Sequence, residues 1–114
     1  MASEPVKALT SCGISEAYAE ELATRHKSEH ERMIKDPVGF IEDHWYADIN
    51  LGSLTNVYNL SEMRDAFLKL HIKPDLAEAI TKRSGHDEQQ FGHRDAVEWA
   101  VIAISGQHQR ASKA

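Results

Sequence analysis

The sequence predicts an all-α protein, a compact single domain built as a bundle of about five or six helices. Apolar residues between Ser15 and Lys35 recur at helical spacing and leave the charged residues on the other face. Apolar and polar residues alternate nowhere over more than a few positions, so no strand is predicted. A chain of 114 residues, 41% hydrophobic and 27% charged, suits one globular core.

The first two predicted helices are marked by capping residues. Ser3 followed by Pro5 is typical of a helix start, and Gly13 suits the end of that short helix. Ser15 then caps a segment that we expect to continue as one amphipathic helix to Lys35.

The pair Asp36-Pro37 interrupts that helix, because the residue before a proline disfavours the helical region. Proline is tolerated in a first turn, so the next helix is predicted from Pro37 to about Ala47. Residues 50–53 (NLGS) predict a turn. Residues 54–60 are ambiguous between helix and other structure.

Three more helices are predicted in the second half of the chain from caps, glycine and proline. They begin at Ser61, Asp75 and His93, and they end near residue 73, at residues 84–85 and at Gly106. A polar loop of residues 86–92 separates the last two. We therefore expect residues 1–106 to form the helical domain. Residues 107–114 lack an apolar anchor and are predicted to be a flexible tail.

The net charge of −5 is concentrated in the first half of the chain. Residues 1–60 hold twice as many acidic as basic residues, whereas residues 61–114 are balanced. This distribution disfavours a broad nucleic-acid contact in the first half, since phosphate contacts need clustered Lys and Arg. An acidic face instead favours solubility or a basic protein surface as partner.

Composition also bears on location. The longest apolar run, residues 99–104, is far shorter than the roughly 20 residues that cross a bilayer. The first residues lack a basic start followed by an apolar stretch, so we expect no signal peptide and no membrane association. Cys12, the single cysteine, has no partner for an internal disulfide. Together these features favour a cytoplasmic protein.

Residues 26–30 read HKSEH and match the H-x-x-E-H pattern of inverted zinc metalloproteases. One hypothesis is that His26 and His30 bind zinc or iron from adjacent helical turns, as part of a metalloprotein or a hydrolase. A third ligand would then come from elsewhere in the chain; the candidates are His44, His71, His86, His93 and Glu98. The inverted metalloproteases are much larger and mix helices with a sheet, so a peptidase is disfavoured.

The preferred interpretation of His26 and His30 is structural. On a helical wheel at about 100° per residue, both histidines fall on the apolar face of the segment. Each imidazole is then expected beside the core with a partner for its ring N–H, because leaving that group unpaired costs about 1–3 kcal/mol. A pH-sensing or partner-contact role is the remaining alternative. We expect no cofactor, and we favour a binding protein over an enzyme.

The stretch Asp43-His44-Trp45-Tyr46 predicts a binding surface. Three consecutive residues of a helix spread over about 200°, so at least one of these rings should face outward. Exposed Trp and Tyr side chains are typical anchors of protein interfaces. The favoured function is therefore a small cytosolic protein-binding module, acting as an accessory subunit, regulator or inhibitor. Its acidic, aromatic-anchored surface would use four residues: Asp43, Trp45, Tyr46 and Tyr58.

The last predicted helix is apolar on nearly its whole circumference, which means that it must be surrounded. It is either the central helix of the bundle or partly covered by a second copy of the chain. In the second case the contact would use Trp99, Ile102 and Ala103.

A helix-turn-helix nucleic-acid binder is the second alternative function, because residues 61–85 predict helix, turn and helix. Lys82 and Arg83 lie late in the second of these helices. Asp75 and Glu78 lie near its start, where base and phosphate contacts are usually made, so nucleic acid is the disfavoured partner.

Overall fold

A computed structural model describes residues 3–50, 60–86 and 96–113 of the chain. Within these ranges the protein has seven α-helices and no β-strand, which confirms the all-α prediction and corrects the predicted number of helices. The helices are α1 (Glu4–Thr10), α2 (Glu16–Arg25), α3 (His30–Lys35), α4 (Pro37–Asp48), α5 (Leu60–Lys69), α6 (Pro74–His86) and α7 (Ala96–Lys113). A single 3-10 turn, Lys27–Glu29, lies between α2 and α3.

The predicted cap at Ser15 is confirmed by its hydrogen bond, and Asp36 is found to be a second cap. The Ser15 side chain accepts a hydrogen bond from the Tyr18 backbone N–H at 3.4 Å and begins α2. The Asp36 carboxylate accepts one from the Gly39 N–H at 3.2 Å and begins α4. Each cap satisfies a backbone donor that the first turn of a helix leaves without an intrahelical acceptor.

The prediction of one helix from Ser15 to Lys35 is wrong. The backbone leaves the helical region at His26 (φ −122°, ψ 56°) and resumes a regular helix at His30. No proline or glycine marks this break. Both α2 and α3 pack against α1. A single straight helix from Ser15 to Lys35 could not contact the short helix α1 with both of these segments. Tertiary packing therefore overrides the helical propensity of the segment.

Two boundaries in the second half also differ from the prediction. Helix α6 begins at Pro74, so Lys73 rather than Asp75 precedes it. Helix α7 continues through Gly106 to Lys113, so the predicted helix end at Gly106 is wrong. The predictions for residues 51–59 and 87–95 lie outside the described residues. Among the described helices, none combines the length and the apolar character that crossing a membrane requires.

The core lies between α1, α2, α4, α5 and α7 and is built from large apolar side chains. The largest fully buried side chains are Leu9, Ile14, Leu22, Met33, Phe40, Ile41, Trp45, Met63, Phe67, Leu70, Ile72 and Ile104. They come from all three described ranges, so the chain forms one continuous hydrophobic cluster rather than two.

The turn between α5 and α6, residues 70–73, connects the two halves of the fold. Ile72 forms an isolated antiparallel bridge with Ile14, which lies between α1 and α2. Its neighbours extend this pairing: the Ser15 N–H donates to the His71 carbonyl and the Lys73 N–H to the Gly13 carbonyl, both at 2.8 Å. Two tight turns thus satisfy each other's backbone groups inside the fold.

Gly13 is required by this pairing, and we predict that Gly13→Ala destabilises the protein by at least about 1–2 kcal/mol. The backbone at Gly13 has φ +97°, which L side chains rarely adopt, and a Cβ there would overlap the Leu76 side chain. Chemical denaturation followed by circular dichroism measures the change.

Gly106→Ala is the matched control. Gly106 lies inside α7, and a Cβ there would meet the Arg110 side chain at 3.6 Å, an ordinary contact. This variant should gain about 0.5–1 kcal/mol, because alanine favours a helix interior. An unchanged stability in Gly13→Ala would contradict the role assigned to the paired turns.

Candidate functional site

The break at His26 brings together three side chains that are typical metal ligands. They are His26 at the end of α2, Glu29 in the 3-10 turn and His44 on α4, and one ligating atom of each lies within 4.8 Å of the other two. His26 Nδ1 and Glu29 Oε2 are 3.4 Å apart. We call this group the His26–Glu29–His44 cluster.

The two imidazoles of the cluster are held by aromatic contacts. The ring centroids of His26 and His44 are 4.2 Å apart, with the planes inclined at 64°. Phe40, fully buried one turn before His44, lies 4.1 Å from the His44 ring and 5.8 Å from the His26 ring. Because Phe40 belongs to the core, both imidazoles pack against the core on one side.

Both ring nitrogens of His44 are buried and have no hydrogen-bond partner among the described residues. Burial is the main reason that the pKa of His44 lies below its usual value of 6.5, and the proximity of His26 lowers this pKa further. Glu29 and Asp48 oppose that shift. His44 is therefore neutral at neutral pH, the state in which imidazole ligates a metal.

His30 does not belong to the cluster. Its Nε2 donates a hydrogen bond to the Ala23 carbonyl at 2.7 Å, so its ring N–H is satisfied as the structural interpretation expects. It lines a shallow cleft of about 470 Å³ beside α1, together with Glu20 and Lys27. His30 is not among the described side chains whose ligating atoms gather with His26, so the predicted pairing of His26 with His30 on one metal ion stays a prediction.

The other candidate third ligands are not members of the cluster or are not described. His71 lies on the α5–α6 turn and stacks on Tyr18, with ring centroids 3.9 Å apart. Glu98 is exposed in the first turn of α7. The side chains of His86 and His93 lie outside the described residues.

Helix α4 presents a second candidate site on its outer face. Tyr46 is 63% exposed, and Asp43, one turn earlier, is exposed and ion-paired with Arg32. Trp45 is fully buried, and its indole N–H donates to the Leu70 carbonyl at 2.9 Å. Trp45 is thus a core residue, which removes it from the set of predicted surface anchors. Tyr58 lies outside the described residues.

The three residues of the last helix that were assigned to an oligomer contact face different environments. Trp99 is 4% exposed and belongs to the core, Ala103 is partly buried, and Ile102 is 42% exposed. One side of α7 packs against α4, α5 and α6. Ile102 alone of the three offers a large apolar side chain to a second chain.

Helix α6 is the second helix of the predicted helix-turn-helix, and the charged side chains named for it above are exposed. Lys82 and Arg83 are exposed towards its C-terminal end, and Asp75 and Glu78 are exposed in its first turns. A recognition helix usually contacts DNA through its N-terminal residues, which are acidic here.

Cys12 is buried, and burial raises the pKa of its thiol to about 11. Since the thiolate is the reactive form, this cysteine is a core residue rather than a nucleophile.

Comparisons with protein-family models, with curated proteins and with solved structures find no match to this chain. Function is therefore inferred from the contacts of the described residues. Sequence reasoning identified His26 as a candidate ligand and included His44 among the candidates for a third ligand. It missed Glu29, because a continuous helix would place this residue at the edge of the apolar face. The HKSEH motif did contain a signal for it, because the glutamate of the motif is Glu29 and its carboxylate is a common metal ligand.

We predict that the protein loses stability as the pH falls through about 6.5, the usual pKa of histidine. Burial lowers the pKa of His44 and of His71, so the unfolded chain binds more protons than the folded chain between the lowered values and about 6.5. The free energy of unfolding therefore rises with pH across this window. Above the window the contribution of these two histidines to it no longer changes with pH. Urea denaturation at about pH 7.5 and about pH 5.5 measures the difference, since most carboxylates titrate below about pH 5.

His71→Asn is the informative variant for this prediction. His71 has φ 64°, a left-handed conformation that asparagine adopts readily, so the backbone of the turn is preserved. The variant should show a smaller loss of stability between the two pH values. Equal or greater stability of the wild-type protein at the lower pH would contradict the prediction.

Proposed function

We propose that this chain is a small cytoplasmic protein-binding module, an accessory subunit, regulator or inhibitor of another protein. Its contact surface would be the outer face of α4, centred on Tyr46. The observation that carries the proposal is the 63% exposure of Tyr46, the highest among the large hydrophobic side chains of the described residues. Tyrosine gives a large contact area at a low entropy cost and is enriched at interface hot spots.

The charge around Tyr46 supports a basic partner surface. Helix α4 carries Glu42, Asp43 and Asp48 and has no Lys or Arg. Glu42 and Asp43 precede Tyr46 by one helical turn and so lie on the same side of the helix. Asp43 is already ion-paired with Arg32, so Glu42 is the carboxylate on this side that Lys or Arg on a partner would complement.

Rigidity of α4 supports the same proposal. Phe40, Ile41 and Trp45 are fully buried on the inner side of the helix, so the outer side is held in one orientation. A preorganised anchor loses less conformational freedom on binding than one on a mobile loop.

A cytoplasmic location forms part of the proposal and is supported by the single buried cysteine. A homo-oligomer through α7 has weaker support, because Trp99 is committed to the core and Ile102 alone is well exposed. A nucleic-acid binder is not proposed, since the first turns of α6 expose carboxylates.

We predict that Tyr46→Ala weakens binding of the partner by about tenfold or more, the effect expected for an interface hot spot. The partner is first isolated by affinity capture with the wild-type chain, and titration with the purified partner then measures the dissociation constants. Circular dichroism of Tyr46→Ala should be unchanged, because the side chain is largely in solvent.

Ile102→Ala is the matched control, since it removes an exposed apolar side chain on α7. It should leave the affinity unchanged. The proposal fails if Tyr46→Ala retains full affinity, and a loss confined to Ile102→Ala would place the contact on α7 instead.

A further inference from the structure

We infer that the His26–Glu29–His44 cluster is a binding site for one divalent transition-metal ion of the zinc type. This inference is independent of the protein-binding function proposed above. It differs from the site that the HKSEH motif suggests, because Glu29 and His44 take the place of His30 as ligands beside His26.

The spacing of the donor atoms suits such an ion. Zinc binds imidazole nitrogen and carboxylate oxygen at about 2.0–2.2 Å, which places tetrahedral ligand atoms about 3.3–3.6 Å from one another. His26 Nδ1 and Glu29 Oε2 already stand 3.4 Å apart. All three donor atoms lie within 4.8 Å of one another. Small rotations of these side chains would bring the donor atoms to the distances of a tetrahedral site.

The environment of His44 is the second and independent observation. Its two ring nitrogens are buried without a hydrogen-bond partner among the described residues, whereas buried polar groups in native proteins are almost always paired. Leaving such a group unpaired costs about 1–3 kcal/mol. A metal ion would engage the lone pair of one nitrogen and leave only the N–H of the other to be satisfied.

The charges around the cluster favour a cation. Glu29 is a ligand and Asp48 lies near enough to act electrostatically on His44. Arg25 and Arg32 are opposing cations that act on His44 and on Glu29 respectively. Each is engaged by another carboxylate: Arg25 by Asp48 at 2.9 Å and by Glu21 at 3.8 Å, and Arg32 by Asp43.

The scaffold holds the ligands from two directions. His26 and Glu29 are three residues apart in one turn, and His44 comes from α4, which follows the Asp36-Pro37 corner. Phe40 packs against both imidazoles from one side. Apolar side chains beside a metal site limit the access of solvent to it.

The donor set selects the class of ion. Two imidazoles and one carboxylate suit zinc and neighbouring transition metals, whereas magnesium and calcium prefer oxygen ligands throughout. Three protein ligands leave the fourth tetrahedral position to water, and His26 and Glu29 are exposed enough, at 30% and 40% of their side chains, for solvent to reach the ion.

Isothermal titration of the purified, chelator-stripped full chain with zinc chloride tests the inference. We expect one ion per chain at about pH 7.5, a site that magnesium and calcium do not compete for, and a raised melting temperature in the presence of zinc. Affinity should fall in acidic solution, because the ligands of a metal ion must be unprotonated.

The variants separate this site from the other histidines. Glu29→Gln and His44→Gln should each weaken zinc binding by at least about tenfold, and His30→Gln should not. Glu29 is largely exposed, so Glu29→Gln keeps the test valid even if His44→Gln folds poorly. Absence of zinc binding by the wild-type chain, full affinity in Glu29→Gln, or a loss confined to His30→Gln would each overturn the inference.

Discussion

The fold depends on one short turn, residues 70–73 between α5 and α6. Its backbone exchanges hydrogen bonds with the turn that precedes α2, and the Leu70 carbonyl accepts the indole N–H of Trp45 from α4. The His71 ring stacks on Tyr18 of α2. Three segments distant in sequence therefore meet at a single turn. Short helices are marginal alone, so contacts of this kind supply the cooperativity of a bundle of this size.

This turn also determines where α4 lies, and α4 carries residues of both candidate sites. Trp45 is clamped between the core and the Leu70 carbonyl, and burying an indole without a partner for its N–H would be costly. With Trp45 fixed inward, the residues on either side of it are rotated by about 100° in opposite directions. His44 is carried towards His26, and Tyr46 is carried into solvent. One core contact thus orients two neighbouring functional candidates.

The parts of the structure that the sequence predicts well are those decided by local chemistry. The helix starts at Ser15 and at Asp36-Pro37 follow from capping and from the conformational restriction before proline. The break at His26 was not predictable in the same way, because it contains no breaker residue and results from packing of α2 and α3 on α1. The pairing of His26 with His44 depends on that break and on the return of the chain through α4. Long-range contacts of this kind leave no local signal, so the motif contains two members of the cluster, His26 and Glu29, and gives no indication of His44 as the third.

The two proposals can be separated because they concern different sides of the same helix. An ion in the His26–Glu29–His44 cluster would join the corner after α2 to the middle of α4, on the flank opposite Tyr46. None of its three ligands is Tyr46 or one of the carboxylates one turn before it, Glu42 and Asp43. Its effect on a partner at Tyr46 would have to pass through the orientation of α4, which the burial of Phe40, Ile41 and Trp45 already restrains. A metal ion could shift α4 between two positions only if it bound one position more tightly than the other. Because α4 is held in one position, there is little such difference in affinity. Metal binding and partner binding are therefore expected to be largely independent.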